Sequence, residues 1–210
     1  GIISEKELDK LVAGLEKFSN IIFMRDEIYD QFCFGNTKFK SLLNYPSISE
    51  NLIVLNGWSK TYAMTGWRLG YGIFPNKLYE TAEKLAVNIH SCVNSSAQYA
   101  ALEALNGPQE CVKVMNDSFK RRANLMYTKL NEIDQLKCQK PQGAFYCFPN
   151  IKNLKINSLE LQDKLLENVG VATVAGTSFG KFGEGFIRLS CANSDSAIEE
   201  AIDRIANFFN

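Results

Sequence analysis

Asp26, Tyr29 and Lys60 are the residues around which chemistry could be organised. Asp26 and Tyr29 follow the apolar run Ile21-Ile22-Phe23-Met24, and Lys60 follows Leu52-Ile53-Val54-Leu55. Short apolar runs of this kind read as buried parallel strands. Ligand sites in open α/β sheets gather at the carboxyl ends of strands, so a carboxylate, a phenol and an amine are expected to face one crevice. Arg188 is a fourth candidate, because it lies inside the apolar segment Phe186-Ile187-Arg188-Leu189-Ser190. A charge in such a strand is costly unless paired, so an anionic partner is expected, either an internal acid or a substrate.

The remaining composition removes other chemistries. His90 is the only histidine. It cannot supply a multi-histidine metal centre, and a Ser-His-Asp triad would have to use it without a G-x-S-x-G elbow in support. It reads as an ordinary helix residue. Six cysteines occur without a C-x-x-C pair, several in apolar runs such as Ala144-Phe145-Tyr146-Cys147-Phe148, and read as small hydrophobes in a reducing cytoplasm rather than as disulfides or zinc ligands. The formal charge is zero, which gives no bias toward nucleic acid or an anionic membrane surface. No apolar run reaches transmembrane length, and no signal peptide is expected. With 46% hydrophobic residues, the 210-residue chain has the material for a packed core.

The elements that must position these side chains are legible in outline. Ser4 followed by Glu7 reads as a capping box that opens a helix over about 5–18. Strands are expected at 21–24, 52–55 and 69–74, giving an α/β sheet with crossovers. Helical patterns follow at 78–90, 97–105 and, after Gly107-Pro108, 111–130. Beyond that, strands at 145–148, 171–174 and 186–190 alternate with helices at 158–168 and 194–209, a smaller α+β unit. The boundary falls within 107–120 and divides the chain into 1–107 and 108–210. Thr177, Ser178 and Phe179 read either as a loop that closes over substrate or as a plain connection.

The segment around the lysine carries a resemblance. Gly57-Trp58-Ser59-Lys60-Thr61-Tyr62-Ala63-Met64-Thr65-Gly66-Trp67-Arg68-Leu69-Gly70 resembles the cofactor-lysine signature of class I aminotransferases, the pyridoxal 5′-phosphate (PLP) enzymes of fold type I. Three further segments agree in order. Asp26-Glu27-Ile28-Tyr29 resembles the family's Asp-x-x-Tyr, and Gly143-Ala144-Phe145-Tyr146 its small-domain strand entry. Gly170-Val171-Ala172-Thr173-Val174 through Phe186-Ile187-Arg188-Leu189-Ser190 resembles its substrate-carboxylate strand. The resemblance implies part of a fold type I large domain with a mostly parallel sheet, over 1–107, and a smaller C-terminal α+β domain over 108–210. Gly1-Ile2-Ile3-Ser4 matches the point just after the family's Asn-Pro-x-Gly turn, so the chain is expected to be the C-terminal half of an enzyme and inactive alone. The family's phosphate turn, ring-stacking aromatic and the Asn at the phenolic oxygen cannot be located in it.

The resemblance also implies roles. Lys60 carries the PLP aldehyde and later moves a proton. Asp26 keeps the pyridine nitrogen protonated, and Tyr29 hydrogen-bonds the phenolic oxygen. Arg68 pairs with the phosphate, and Ser59 adds a hydroxyl. Arg188 takes the substrate α-carboxylate in a bidentate fork. No metal is expected. The implied reaction is exchange of an amino group between an amino acid and a 2-oxo acid, with aspartate and 2-oxoglutarate the preferred pair, in a cytoplasmic homodimer. Gly57 stands where the family's best-known branch has Ser, so the pattern follows the broader bacterial and archaeal branch. A C–S β-lyase, a cyclopropane-forming lyase, or an aminotransferase-like domain of a transcription regulator would carry the same motif residues.

Overall fold

The computed structural model describes residues 2–35 and 38–209. Gly1, the first residue of the opening motif, lies outside them. The chain divides into two compact units, residues 2–115 and 116–209, and the division falls inside one long helix.

The first unit opens with α1 (Glu5–Leu15), and the expected capping box is present. The Ser4 hydroxyl accepts from the Glu7 amide, while the Glu7 carboxylate accepts from the Ser4 amide at 2.9 Å. The helix buries Leu8 and Val12 against Leu52 and Val54, which share one face of β2 (Leu52–Gly57); Leu42 and Ile48 complete this core. β1 (Phe23–Asp26) runs parallel to β2, with Phe23 opposite Leu52 and Asp26 opposite Leu55. The ladder therefore lies two residues later than the apolar run Ile21–Met24 implies, and Ile21 and Ile22 are exposed.

β3 (Gly70–Ile73) departs from the expected mostly parallel sheet. It pairs antiparallel to β2, with Gly57 opposite Gly70, and gives a three-stranded mixed sheet in the order β1-β2-β3. The reason is the connection. Residues 58–69 contain a single 3-10 turn (Thr65–Trp67) and no helix that could carry a parallel crossover. Ala63 and Arg68 both adopt left-handed backbone conformations, with φ of 53° and 56°, and reverse the chain there. Gly57 is required at the pairing, since a Cβ on it would lie 2.8 Å from the Leu69 carbonyl oxygen and 2.9 Å from the Gly70 Cα. α2 (Asn76–His90) and α3 (Ser95–Asn106) follow; Ala97 and Ala101 of α3 pack on Met64 and Leu69 of the connection.

α4 (Glu110–Leu130) carries the chain into the second unit, where its Ala123, Met126 and Leu130 are buried. There β4 (Tyr146–Cys147), β5 (Val174–Ala175) and β6 (Ile187–Ser190) form an antiparallel sheet in the order β4-β6-β5. α5 (Ser158–Val169) and α6 (Asp195–Phe209) supply Leu161, Leu165, Ile202 and Ile205 to a core that also holds Cys147, Ile187 and Cys191. α5 stops at Gly170, whose φ of +66° suits the left-handed cap that glycine adopts without strain. The loop at 177–179 is a short 3-10 turn, Gly176–Phe179.

Candidate active site

Topology brings five of the six sequence candidates, all but Arg188, to one edge of the first unit's sheet. β1 and β2 are parallel, so Asp26, the last residue of β1, and the segment leaving β2 at Gly57 emerge at the same edge. β3 enters from that edge, because Gly70 pairs with Gly57, and this returns Arg68 to the edge from which Lys60 departs.

Local bonds fix these residues. Asp26 is exposed, and one carboxylate oxygen accepts from the Ile28 amide at 3.0 Å. That Asx turn leads into a turn closed by the Asp30 amide donating to the Glu27 carbonyl at 3.0 Å, with Tyr29 inside it. Tyr29 is half-buried, packs edge-on against Phe32, and lies under Lys60, whose Nζ is 5.9 Å from its ring centroid. Thr61, next to the lysine, is buried; its hydroxyl donates to the Asp30 carboxylate at 3.4 Å and ties the two strand-end turns together. On the other side of the lysine, the Trp58 indole donates to the Ala101 carbonyl at 3.1 Å and anchors the loop on α3. Ser59 is half-buried between Trp58 and Lys60. Arg68 is exposed, and its guanidinium donates to the Thr65 carbonyl at 2.9 Å. A left-handed conformation in a non-glycine residue costs about 1–2 kcal/mol. Two such residues, Ala63 and Arg68, within one loop beside the lysine mark it as strained.

A cavity of about 240 Å³ adjoins the same loop, lined by Asp30, Asn56, Trp58, Thr61, Tyr62 and Tyr71. Asp26, Tyr29, Lys60 and Arg68 do not line it. Desolvation, reinforced by the negative charge of Asp30, pushes the Tyr62 and Tyr71 phenols above their ordinary range. Among the described residues no cluster of His, Cys, Asp and Glu could hold a metal ion.

Arg188 lies in the second unit, on β6 opposite Val174. Its guanidinium sits 4.3 Å from the Tyr146 ring centroid and 4.7 Å from that of Phe179. Among the described residues no acid pairs with it, so the internal-acid alternative finds no support in the side chains around it. Sequence assigned Tyr146 no role beside Arg188 and assigned Phe179 only a place in a loop that either closes over substrate or plainly connects. Tyr146 pairs with Ser190, and Arg188, two residues back along β6, shares that face, a pairing that only the structure reveals. Glu27 was also missed. It is a buried carboxylate beside Asp26, and nothing in the apolar pattern distinguishes it from an exposed acid.

Comparisons with known proteins identify the family. The family described as "Aminotransferase class I and II" matches residues 1–205, and the chain belongs to it. An aspartate aminotransferase from Pyrococcus abyssi is 36% identical over 206 residues, covering 97% of this chain and 52% of that protein. An aromatic-amino-acid aminotransferase from Thermococcus litoralis is 34% identical over 206 residues, with 97% and 52% covered. The crystal structure of an aromatic aminotransferase from Pyrococcus horikoshii superposes with a TM-score of 0.95 at 33% identity, covering all of this chain and 56% of that one. The chain thus spans about half the length of the curated relatives it matches. No helix among the described residues is long and apolar enough to cross a membrane.

Proposed function

We propose that this chain is the C-terminal half of a PLP-dependent amino-acid aminotransferase, with residues 1–107 contributing to the cofactor-binding domain and 108–210 forming the small domain. The observation that carries this reading is the convergence of Asp26, Tyr29, Lys60 and Arg68 on one sheet edge, with the lysine amine over the tyrosine ring. The donor set fits the cofactor. An amine suits its aldehyde, a carboxylate its ring nitrogen, a phenol its ring oxygen and a guanidinium its phosphate. When bound, PLP supplies an electron sink for the carbanion that forms at the amino-acid Cα.

The chain's own residues do the rest. Lys60 would hold the cofactor through its amine and would carry the Cα proton. Asp26 keeps the ring nitrogen protonated by placing a negative charge beside it. Tyr29 donates to the ring oxygen. Arg68 and Ser59 bind the phosphate. Arg188 takes the α-carboxylate of substrate between two aromatic rings and orients the Cα–H bond. The names of several relatives favour aspartate as the amino donor, and the resemblance favours 2-oxoglutarate as the acceptor and a cytoplasmic homodimer.

Borohydride reduction of the full-length holoprotein tests the reading. A pyridoxyl group on the peptide containing Lys60 is expected; a label on another lysine, or none, overturns it. Product analysis separates transamination from lyase chemistry, because only the former returns a new amino acid with the 2-oxo acid.

A further inference from the structure

We propose that Glu27 is a positioning residue for Asp26 and Tyr29, acting through the turn that carries both; this rests on the function proposed above. Glu27 is 4% exposed, whereas Asp26 beside it is exposed. Side chains alternate along a strand, so Arg25 and Glu27 point to the core face and Asp26 to the opposite face. Buried carboxylates are rare unless paired, and this one has two partners. It accepts from the Leu42 amide at 3.0 Å and pairs with Arg25 Nε at 3.3 Å. Leu42 belongs to the core formed with Leu8, Val12 and Val54, so the carboxylate is fastened to that core.

The main chain of Glu27 is equally occupied. Its amide donates to the Leu55 carbonyl at 2.8 Å, which carries the β1–β2 ladder one residue past Asp26. Its carbonyl accepts from the Asp30 amide at 3.0 Å and closes the turn around Tyr29. Asp26 holds its own carboxylate by the Ile28 amide, inside the same few residues. Two of the backbone bonds that shape the turn carrying Asp26 and Tyr29 therefore belong to a residue whose side chain is pinned to the core.

Removing that side chain strands two donors. The Leu42 amide loses its acceptor. Arg25 loses its counter-charge, although its Nη1 is already buried without a partner among the described residues and its guanidinium has only the Phe39 ring at 5.2 Å. The turn then moves, and the Asp26 carboxylate and Tyr29 phenol that it carries move with it.

The experiment compares Glu27→Ala, Glu27→Gln and Val12→Ala in the full-length holoprotein. Melting temperature, kcat, KM and the pH titration of the absorbance of the lysine-bound cofactor are measured. Val12→Ala loosens the same core without touching the turn. Glu27→Ala is expected to lower kcat by roughly 10- to 100-fold, the scale of a misplacement of about 1 Å, with little change in KM. Its absorbance titration is expected to rise by about one pH unit as the Tyr29 hydrogen bond weakens. Glu27→Gln keeps an acceptor oxygen for Leu42 and should restore most of kcat, with a smaller displacement of the same sign. Val12→Ala should lower the melting temperature alone. If both Glu27 variants behave like Val12→Ala, the role is purely structural and the proposal is overturned. Should Glu27→Ala fail to fold, Glu27→Gln decides: kcat and titration equal to wild type overturn it. A wild-type holoprotein with no cofactor on Lys60 overturns the functional reading, and this role with it.

Discussion

Replacing Arg188 by leucine separates what the cation does for folding from what it does for substrate. The guanidinium lies 4.3 Å and 4.7 Å from the centroids of Tyr146 and Phe179. At a partly exposed site each cation–π contact is worth about 0.5–1 kcal/mol. Leucine keeps much of the dispersion contact with the same rings, so the net loss of stability should stay near 1 kcal/mol, or about 2–4 °C in Tm for a chain of this size. The substrate side is larger. A carboxylate left in a desolvated site without its guanidinium forfeits about 2–5 kcal/mol. At about 1.4 kcal/mol per decade, that is roughly a 30- to 5,000-fold loss in kcat/KM. Arg188→Lys should fall between wild type and leucine, because lysine keeps the charge but not the planar fork. The assay is steady-state transamination of aspartate with 2-oxoglutarate by the full-length protein, with Tm and cofactor content measured on the same samples. Cofactor content should not change. A loss below roughly tenfold in kcat/KM, about 1.4 kcal/mol, would show that Arg188 is not the carboxylate anchor.

Asp26→Asn should leave the cofactor bound and nearly abolish turnover, since an amide cannot hold the ring nitrogen protonated; near-normal kcat would remove Asp26 from the mechanism. Glu184, whose carboxylate accepts from the Ser158 and Gly185 amides, is held below the ordinary glutamate value of 4.5 by those bonds, that from Ser158 first. A depressed folded value contributes stability that is present above the unfolded pKa and lost as pH falls through the folded one. Denaturant titrations should therefore show wild type and Glu184→Gln differing at neutral pH and converging in acid below pH 4.5; a constant gap across that window refutes the assignment. Cys191 is pushed up to about 11 and Cys147 is also raised, by burial at the former and chiefly by its contact with Cys138 at the latter. At pH 8 an alkylating reagent should modify exposed Cys92 and Cys111 while Cys147 and Cys191 react only after unfolding, as peptide mapping would report.

Much of the fold was legible because it rests on local rules. The Ser4–Glu7 box, the helices near 76–90, 95–106, 158–169 and 195–209, and the β2 run each announce themselves through capping or periodicity. The direction of β3 did not. Its reversal depends on left-handed conformations at Ala63 and Arg68, and neither residue is a glycine or asparagine that would signal them. The shift of β1 has a similar origin: the ladder extends into Arg25 and Asp26, because pairing follows backbone bonds to β2 rather than side-chain polarity. The candidate site was legible as residue types, but the partners that hold it were not. Thr61 reaching Asp30, and Glu27 reaching Leu42, are contacts between segments separated in sequence, and no periodicity encodes them.

That division has a physical basis with a bearing on the chemistry. A group that reacts must present itself to an incoming molecule, as Asp26 and Arg68 do by standing exposed at the sheet edge. Exposure leaves such a group free to move, and a misplaced catalytic group loses rate steeply with distance. Rigidity must then come from neighbours that are themselves buried: Glu27 behind Asp26, and Thr61 beside Lys60. Along a strand, alternation forces the reacting residue and its support to be adjacent in sequence and opposite in direction. On the proposed function, Asp26-Glu27-Ile28-Tyr29 would therefore need two acids in a row for different reasons, the first to meet the cofactor and the second to keep the first in place.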